Sequence, residues 1–130
     1  MQTLVAAQPD GNAAYWFNLA YLLEDAGRFD EAEPHFRRAL ALDPKLDRAW
    51  YGLGLVLIRL QRPAEALAAL KKNTELQPMS PYGWYQLARV ERDLGHPEET
   101  QWILDHLAKF EPDVARQLAR ETGLKSSVLS

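Results

Sequence analysis

The feature that most constrains the fold of this chain is a period of 34 residues. The tryptophans Trp16, Trp50 and Trp84 follow one another at this interval. The prolines that recur at the same interval are Pro44, Pro78 and Pro112. Such a period is typical of chains that stack similar units, because each unit buries its apolar face only against its neighbours. The 130 residues are therefore expected to form one stacked array.

Each unit is expected to contain two helices. Apolar residues in the first unit recur at helical spacing, as at Trp16, Leu19 and Leu23. Asn12 precedes this run as an N-cap, and Gly27 is placed to end the helix in a left-handed conformation. The same reasoning predicts seven helices, over 13–26, 30–42, 47–60, 63–76, 81–94, 97–110 and 113–122.

Local signals mark the starts and ends of the later helices. Pro63 and Pro97 suit the first position of a helix, because a residue there has no intrahelical N–H partner to lose. Ser80 and His96 are expected to cap the helices that follow them. Gly123 ends the last helix, and the LKSSVLS tail is expected to fray.

These units resemble tetratricopeptide repeats (TPR), a family whose unit carries W-x2-L-G-x2-Y, then A-x3-F, then P. The matching residues are Trp16, Leu19, Ala20, Leu23, Gly27, Ala32, Phe36, Ala39 and Pro44; then Trp50, Leu53, Gly54, Leu57, Ala66, Leu70 and Pro78; then Trp84, Leu87, Ala88, Gly95, Leu104 and Pro112. The resemblance implies an all-α fold, a right-handed superhelical α-solenoid of three helix-turn-helix units with a C-terminal capping helix. The implied division of this single domain is an N-terminal segment 1–12, repeats 13–46, 47–80 and 81–112, a capping helix 113–123 and a frayed tail 124–130.

Three positions depart from the repeat pattern. Asn73 replaces the small residue found at Ala39, which would put an amide near a helix interface. Glu91 stands where the first two units have leucine, and Thr100 stands where they have alanine. The third unit is the most divergent, as a terminal repeat can be.

In this family the first helix of each unit lines a concave groove, and the second, fifth, ninth, twelfth and thirteenth residues of the unit face inward. The candidate peptide-binding residues that follow are Phe17, Tyr21, Arg48, Tyr51, Leu55, Tyr82, Tyr85, Arg89 and Arg92. Aromatic and arginine side chains dominate binding hot spots. We therefore expect the groove to bind an extended or helical peptide with apolar side chains and some acidic groups. A packing preference repeated at Phe17, Tyr51 and Tyr85 would also explain part of this set.

The resemblance leaves two other roles open. GLGLVLIRLQRPAEALAAL is similar to the middle repeat of the chaperones of type III secretion translocators, although the N-terminal helical extension that these usually carry is missing from the sequence. The chain could also be a structural fragment of a longer TPR protein.

The clamp that grips the C-terminal carboxylate of heat-shock chaperones uses lysine, asparagine and arginine. The corresponding positions here are Phe17, Tyr21, Gly52, Tyr82 and Gln86, and none of them matches. The sequence therefore argues against binding to Hsp70 or Hsp90 through this clamp.

Other classes of function find little support. The net charge of −3 argues against nucleic acid as a partner. There is no cysteine, the three histidines are isolated, and Gly52-Leu53-Gly54 lies inside a predicted helix, so we expect no metal, no cofactor and no enzyme activity. No apolar run is long enough for membrane insertion or a signal peptide, so a cytoplasmic location is the default expectation, or the periplasm if the chain belongs to a longer exported protein.

Two further expectations concern association. The partner is expected to be a protein or peptide, with the chain itself a monomer or weak dimer. Trp102 lies outside the repeat signature. It is expected either to pack under the final helix or to mark a docking patch.

Overall fold

A computed structural model describes residues 11–129, and within this range the chain forms seven α-helices. The helices are α1 Ala13–Asp25, α2 Phe29–Leu42, α3 Asp47–Arg59, α4 Pro63–Leu76, α5 Pro81–Asp93, α6 Pro97–Ala108 and α7 Pro112–Thr122. Each begins and ends within two residues of its predicted bounds, and the all-α prediction is confirmed. The expectations for residues 1–10 lie outside the described residues.

The helices stack in consecutive antiparallel pairs. Within the pairs, α1 packs on α2, α3 on α4 and α5 on α6; between them, α2 contacts α3 and α4 contacts α5. One continuous apolar core runs through the array. Small residues allow the close approach: Ala20 and Ala88 are fully buried, and a side chain at Gly54 would come within 2.7 Å of Leu70. The helical glycines thus serve packing, as the sequence predicts.

The tryptophans connect neighbouring units. The indole Nε1–H of Trp50 donates to the carbonyl of Pro44 at 2.7 Å, and that of Trp84 donates to the carbonyl of Pro78 at 2.8 Å. Each indole therefore holds the proline turn that ends the unit before it, which explains why both residue types share one period. The Nε1 of Trp16 has no hydrogen-bond partner among residues 11–129.

The turns inside the three units share a left-handed residue. Gly27 and Gly95 both have φ of +78°, and Gln61 has φ of +63° at the equivalent place. After it, the N–H of Arg62 donates to the carbonyl of Leu57 at 2.9 Å, which satisfies a carbonyl of the last helical turn. The second unit thus keeps the turn without its glycine, and the left-handed conformation costs a residue with a side chain roughly 1–2 kcal/mol.

Several local expectations are corrected. Asn12 caps α1, since its Oδ1 accepts from the Tyr15 N–H at 3.2 Å, but Ser80 and His96 occupy N-cap positions without a side-chain cap bond. The His96 ring is instead hydrogen-bonded through Nδ1 to a carboxylate oxygen of Glu91 at 2.6 Å.

The segment after α7 is docked onto the array over residues 124–129, so the expectation that it frays is wrong for these residues. Leu124 and Leu129 pack against the core, and Ser126 is buried. The amide of Gln101 on α6 donates to the carbonyl of Lys125 at 2.8 Å. Apolar burial and this bond together hold the tail.

An ion-pair network on the surface joins α2 to α4. The guanidinium of Arg62 donates to both carboxylate oxygens of Glu33, at 2.5 and 2.9 Å, and also pairs with Glu65. Arg37 contacts the same two carboxylates. The hydrogen bonds from Arg62, with the positive charge beside it, hold the pKa of Glu33 below its ordinary value. The network adds an electrostatic link between the first two units.

We expect Gln61→Gly to stabilise the protein by about 0.5–1 kcal/mol, because glycine adopts positive φ at little steric cost, although it loses more entropy on folding. Urea unfolding followed by circular dichroism measures the change. Gly27→Ala is the matched control and is expected to lose about 1 kcal/mol, since no atom obstructs its side chain and only the φ angle strains it. A loss of stability in Gln61→Gly would contradict the conclusion that the left-handed conformation of Gln61 strains the backbone.

Candidate functional site

The predicted site residues lie on α1, α3 and α5, but the fold divides them into two groups. One group lines an open cleft of about 340 Å³, called here the groove cleft. Its members are Phe17, Tyr21, Arg48, Tyr51, Leu55 and Tyr82. The second group is Tyr85, Arg89 and Arg92, whose side chains contact α7. The sequence predicts one continuous groove, and the structure gives an open part and a covered part.

The floor of the groove cleft is aromatic. Phe17 is only 7% exposed and belongs to the core, with its ring centroid 6.0 Å from Phe36 and 6.3 Å from Tyr21. Phe17 lines the cleft from beneath, because α1 packs directly on α2, and its contact with a peptide stays a prediction. Gly52 completes the floor, and a side chain there would clash with the Phe36 ring.

The walls of the cleft are tyrosines and an aliphatic residue. Tyr21 is 55% exposed and Tyr82 is 65% exposed, whereas Tyr51 and Leu55 are half-buried between them. Burial raises the pKa of the Tyr51 hydroxyl, which also forms a hydrogen bond with Gln86. The walls therefore offer large aromatic surfaces that already lie partly out of water.

Arg48 supplies positive charge at one end of the cleft. Its guanidinium lies 4.8 Å from the centroid of the Phe17 ring, a cation–π contact that fixes its position. No carboxylate within the described part of the chain forms an ion pair with it. The charge of Arg48 is therefore available to a ligand.

The other end of the cleft is acidic. Burial raises the pKa of Glu24, an effect that the positive charge of Arg59 opposes and the negative charge of Asp25 reinforces. The Arg59 guanidinium itself lies 4.7 Å from the centroid of the Phe29 ring. The cleft is thus electrostatically polar along its length, with Arg48 and Glu24 on different turns of neighbouring helices.

Sequence reasoning missed the lining residues that come from outside the first helices. Phe36, Asn73 and Gln77 all line the cleft. Asn73 is buried, its Nδ2 donates to the carbonyl of Asp47 at 3.0 Å, and its Oδ1 occupies the space that a side chain at Gly83 would need. The sequence signal for this residue was that Asn73 stands where the first unit has an alanine. The prediction that Asn73 lies near a helix interface is confirmed.

Residues of α7 contact the covered part of the groove, where the buried Nε of Arg89 nevertheless has no hydrogen-bond partner among residues 11–129. The hydroxyl of Tyr85 donates to the carboxylate of Glu121 on α7, with oxygens at 2.6 and 2.7 Å. Arg92 donates to the carbonyl of Glu121 at 3.3 Å, and the Nε of Arg89 is 3.8 Å from its carboxylate. The sequence does not predict these contacts with α7, and the role of the three residues in peptide binding stays a prediction.

The environment of this cluster shifts both of its titrating groups. Burial raises the pKa of Tyr85, and the negative charge of Glu121 adds to the effect. The Tyr85 hydroxyl bond is the main cause that lowers the pKa of Glu121. Both shifts favour the pair of a neutral phenol with an ionised carboxylate.

Trp102 lies elsewhere on the surface. It is 58% exposed and contacts Trp84 and His106, with ring centroids 5.8 and 4.9 Å away. The expectation that it packs under the final helix is therefore wrong. Trp102 forms part of a cleft between α4, α5 and α6.

Within residues 11–129, no three histidine, aspartate or glutamate side chains are grouped closely enough to hold a metal ion. Of the helices described, none has the length and apolar character that crossing a membrane requires.

A model of the tetratricopeptide repeat family matches residues 1–47, 17–81 and 51–99. Superkiller protein 3 of Schizosaccharomyces pombe is 37% identical over 81 residues, which is 62% of this chain and 6% of that protein. Human protein O-mannosyl-transferase TMTC3 is 32% identical over 85 residues, which is 65% of this chain and 9% of that protein. The chain thus spans less than a tenth of the length of these relatives.

Similar folds occur in solved structures. YrrB, a TPR protein with an unusual peptide-binding site, has a TM-score of 0.77 at 22% identity, over 84% of this chain and 57% of YrrB. The first TPR of Spaghetti, bound to an HSP90 peptide, has a TM-score of 0.79 at 16% identity, over 88% of this chain and 92% of the Spaghetti chain. The Yersinia enterocolitica type III secretion chaperone SycD, bound to a peptide of the translocator YopD, has a TM-score of 0.66 at 18% identity, over 83% of this chain and 81% of the SycD chain. The helices therefore form a right-handed superhelical α-solenoid of three units and a capping helix, and because the family model covers more than half of the sequence, the chain belongs to the tetratricopeptide repeat family.

Proposed function

We propose that this chain is a protein-interaction module that holds a peptide segment of a partner protein in the groove cleft. Proteins of the TPR family mediate protein–protein interactions. The observation that carries the proposal is the cleft itself, an opening of about 340 Å³ with exposed tyrosines on its walls and Phe17 beneath. Exposed aromatic residues around an apolar depression are where binding energy concentrates.

The lining indicates which peptide would fit. The volume lies at the small end of the range for ligand pockets, so the cleft accommodates one large side chain as an anchor. A phenylalanine, leucine or similar residue would contact the Tyr51 and Leu55 wall. Arg48 would then pair with an acidic group beside the anchor, since a guanidinium without an ion-pair partner binds a carboxylate well.

Charge also orients the peptide. Glu24 at the other end of the cleft would repel a second carboxylate and favour a neutral or basic group there. The acidic residue of the ligand is therefore confined to the Arg48 end. This narrows the sequence-based hypothesis, which allowed acidic groups along the whole groove.

The docked α7 limits how far the peptide extends. Tyr85, Arg89 and Arg92 already contact Glu121, so a ligand must either stop near Tyr82 or displace the helix. Displacement would break a charge-assisted hydrogen bond and uncover apolar surface. We therefore propose a short footprint on the first two units and the start of α5.

Related roles remain within this proposal. The first TPR of Spaghetti and SycD both hold peptides on a similar fold, which supports peptide binding and keeps a chaperone role as the alternative. In a longer parent protein the groove cleft would be one section of an extended groove. TMTC3 is named as a transferase, but only 9% of it corresponds to this chain, and we propose binding rather than catalysis.

Selection from a phage-displayed library of random peptides tests the groove cleft. We expect enriched peptides to carry a large apolar residue near an acidic one. Their dissociation constant is expected to rise about tenfold in Tyr82→Ala and in Tyr51→Ala, as for truncation of a hot-spot residue. Arg48→Ala is expected to weaken binding less and to reduce its dependence on salt.

Tyr15→Ala is the matched control for Tyr82→Ala, because Tyr15 is also exposed on a first helix but does not line the cleft. Its binding is expected to equal that of the wild type. Equal binding by the Tyr82, Tyr51 and Tyr15 variants would refute the proposed site.

A double-mutant cycle with Tyr85→Phe and Glu121→Gln tests whether α7 is docked on the groove. We expect a coupling of about 1 kcal/mol in unfolding free energy, below the ~1.5–3 kcal/mol of a hydrogen bond to a charged group, because solvent reaches this pair. Because the folded-state pKa of Glu121 is lowered, this stabilisation is present above its ordinary value of 4.5 and is lost as the pH falls through the lower folded value.

The same variants separate the two halves of the groove. Tyr85→Phe is expected to leave the affinity for selected peptides unchanged, because its hydroxyl faces α7. Additive stability effects, or a loss of affinity as large as in Tyr82→Ala, would mean that α7 does not cover this part of the groove.

A further inference from the structure

A second cleft, of about 290 Å³, lies between α4, α5 and α6 and shares no lining residue with the groove cleft. We call it the indole cleft, because Trp84 and Trp102 form part of its lining. Its composition combines aromatic rings, carboxylates and a short apolar surface.

The two indoles are arranged to accept a further group. Their ring centroids are 5.8 Å apart and the planes are tilted by 51°, so the rings do not stack on each other. The Nε1–H bond to Pro78 fixes Trp84, and His106 stacks on Trp102 at 4.9 Å with an interplanar angle of 14°. Trp102 nevertheless stays 58% exposed. Indole is the best aromatic surface for a cation.

A buried carboxylate lines the same cleft. Glu91 is only 3% exposed, at a position where the first two units carry Leu23 and Leu57. Its Oε1 is hydrogen-bonded to His96, whereas its Oε2 has no hydrogen-bond partner within the described part of the chain. Burying a charged group is costly unless a partner compensates it. His96 is that partner at Oε1, and a cation entering the cleft would supply a second one at Oε2.

The charge around the opening points the same way. Glu75 and Glu99 also line the cleft with Glu91, and these three carboxylates outnumber the nearby ammonium groups of Lys71, in the lining, and Lys72, which lies 3.7 Å from Glu75. Burial and the charge of Lys109 lower the pKa of His106 below its ordinary 6.5, so the ring under Trp102 adds no competing positive charge at pH 7. The cleft therefore complements a positive ligand.

We propose that the indole cleft binds the side-chain cation of a lysine or arginine presented by a protein partner. Leu87 and Ile103 line the cleft beside the indoles and are buried, so they offer apolar contact to the aliphatic stem of such a side chain. A free quaternary ammonium ion has no stem to use this surface. The two clefts share no lining residue, so a ligand in one leaves the lining of the other unoccupied.

Titration of the 130-residue chain with capped lysine and capped arginine (N-acetyl, N-methylamide) tests the proposal. The indole N–H signals in ¹H–¹⁵N NMR spectra report binding. We expect saturable shifts of Trp84 and Trp102 with about millimolar affinity, while Trp16 and Trp50 stay unchanged. Capped norleucine, which keeps the stem without the charge, is expected to bind at least about tenfold more weakly.

Variants identify the groups involved. Glu91→Gln removes the charge with little change of shape, and Trp102→Ala removes an exposed ring, so each is expected to weaken capped-lysine binding about tenfold. Glu99→Gln provides a surface variant in case Glu91→Gln unfolds, which thermal melts would detect, and is expected to weaken binding about threefold. Glu98→Gln, adjacent on α6 but outside the cleft, is the matched control and is expected to bind as wild type.

The outcomes decide the assignment. Equal binding of norleucine and lysine, or full lysine affinity in both Trp102→Ala and Glu99→Gln, would overturn the cation site. Tighter binding of tetramethylammonium than of capped lysine would overturn the assignment to a protein side chain, because that ion lacks the stem.

Discussion

The contact between Phe36 and Gly52 is the constraint on which the candidate site depends. The Phe36 ring fills the space that a side chain at Gly52 would occupy, so α3 can lie close against α2. This approach places Phe17 and Phe36 side by side as an aromatic floor, with Tyr51 at the wall directly beside Gly52. The same device recurs where Gly54 meets Leu70. Close packing of the array and the shape of its groove thus have one physical origin.

The repeat period predicts the helices well because their signals are local. Spaced apolar residues, prolines at helix starts and the glycines at 27, 95 and 123 each act within a few residues of themselves. The left-handed backbone conformation of Gln61 is not predictable from the sequence, because no local pattern marks a residue with a side chain that adopts it. The surrounding helices impose this conformation. The opposite error occurs at Ser80 and His96, where the sequence predicts a helix cap but the side chain forms no cap hydrogen bond.

The repeat predicts the open part of the candidate site but not the part that α7 covers, because that contact is not local in sequence. The repeat identifies which positions face the groove, but it contains no information about α7, which follows the last unit. Glu121 reaches Tyr85 only through the packing of α7 on α5, a contact across 36 residues of sequence. Likewise, Trp102 lies outside the signature, and its exposure depends on how α6 is placed against its neighbours.

The same repeated scaffold carries two clefts whose side chains differ in charge. The groove cleft presents Arg48 without an ion-pair partner beside aromatic walls, whereas the indole cleft presents Glu91 beneath tryptophans. Asn73 and Glu91 each stand where another unit carries an apolar residue, so a departure from the repeat pattern contributes a polar group to each cleft.

Hydrogen–deuterium exchange with and without a selected peptide tests the central claim most directly. If the peptide binds in the groove cleft and α7 stays docked, protection will increase over residues 17–24 and 48–55 and will be unchanged over 112–122. New protection over 85–92 with faster exchange in 112–122 would mean that the ligand displaces α7, which contradicts the short footprint.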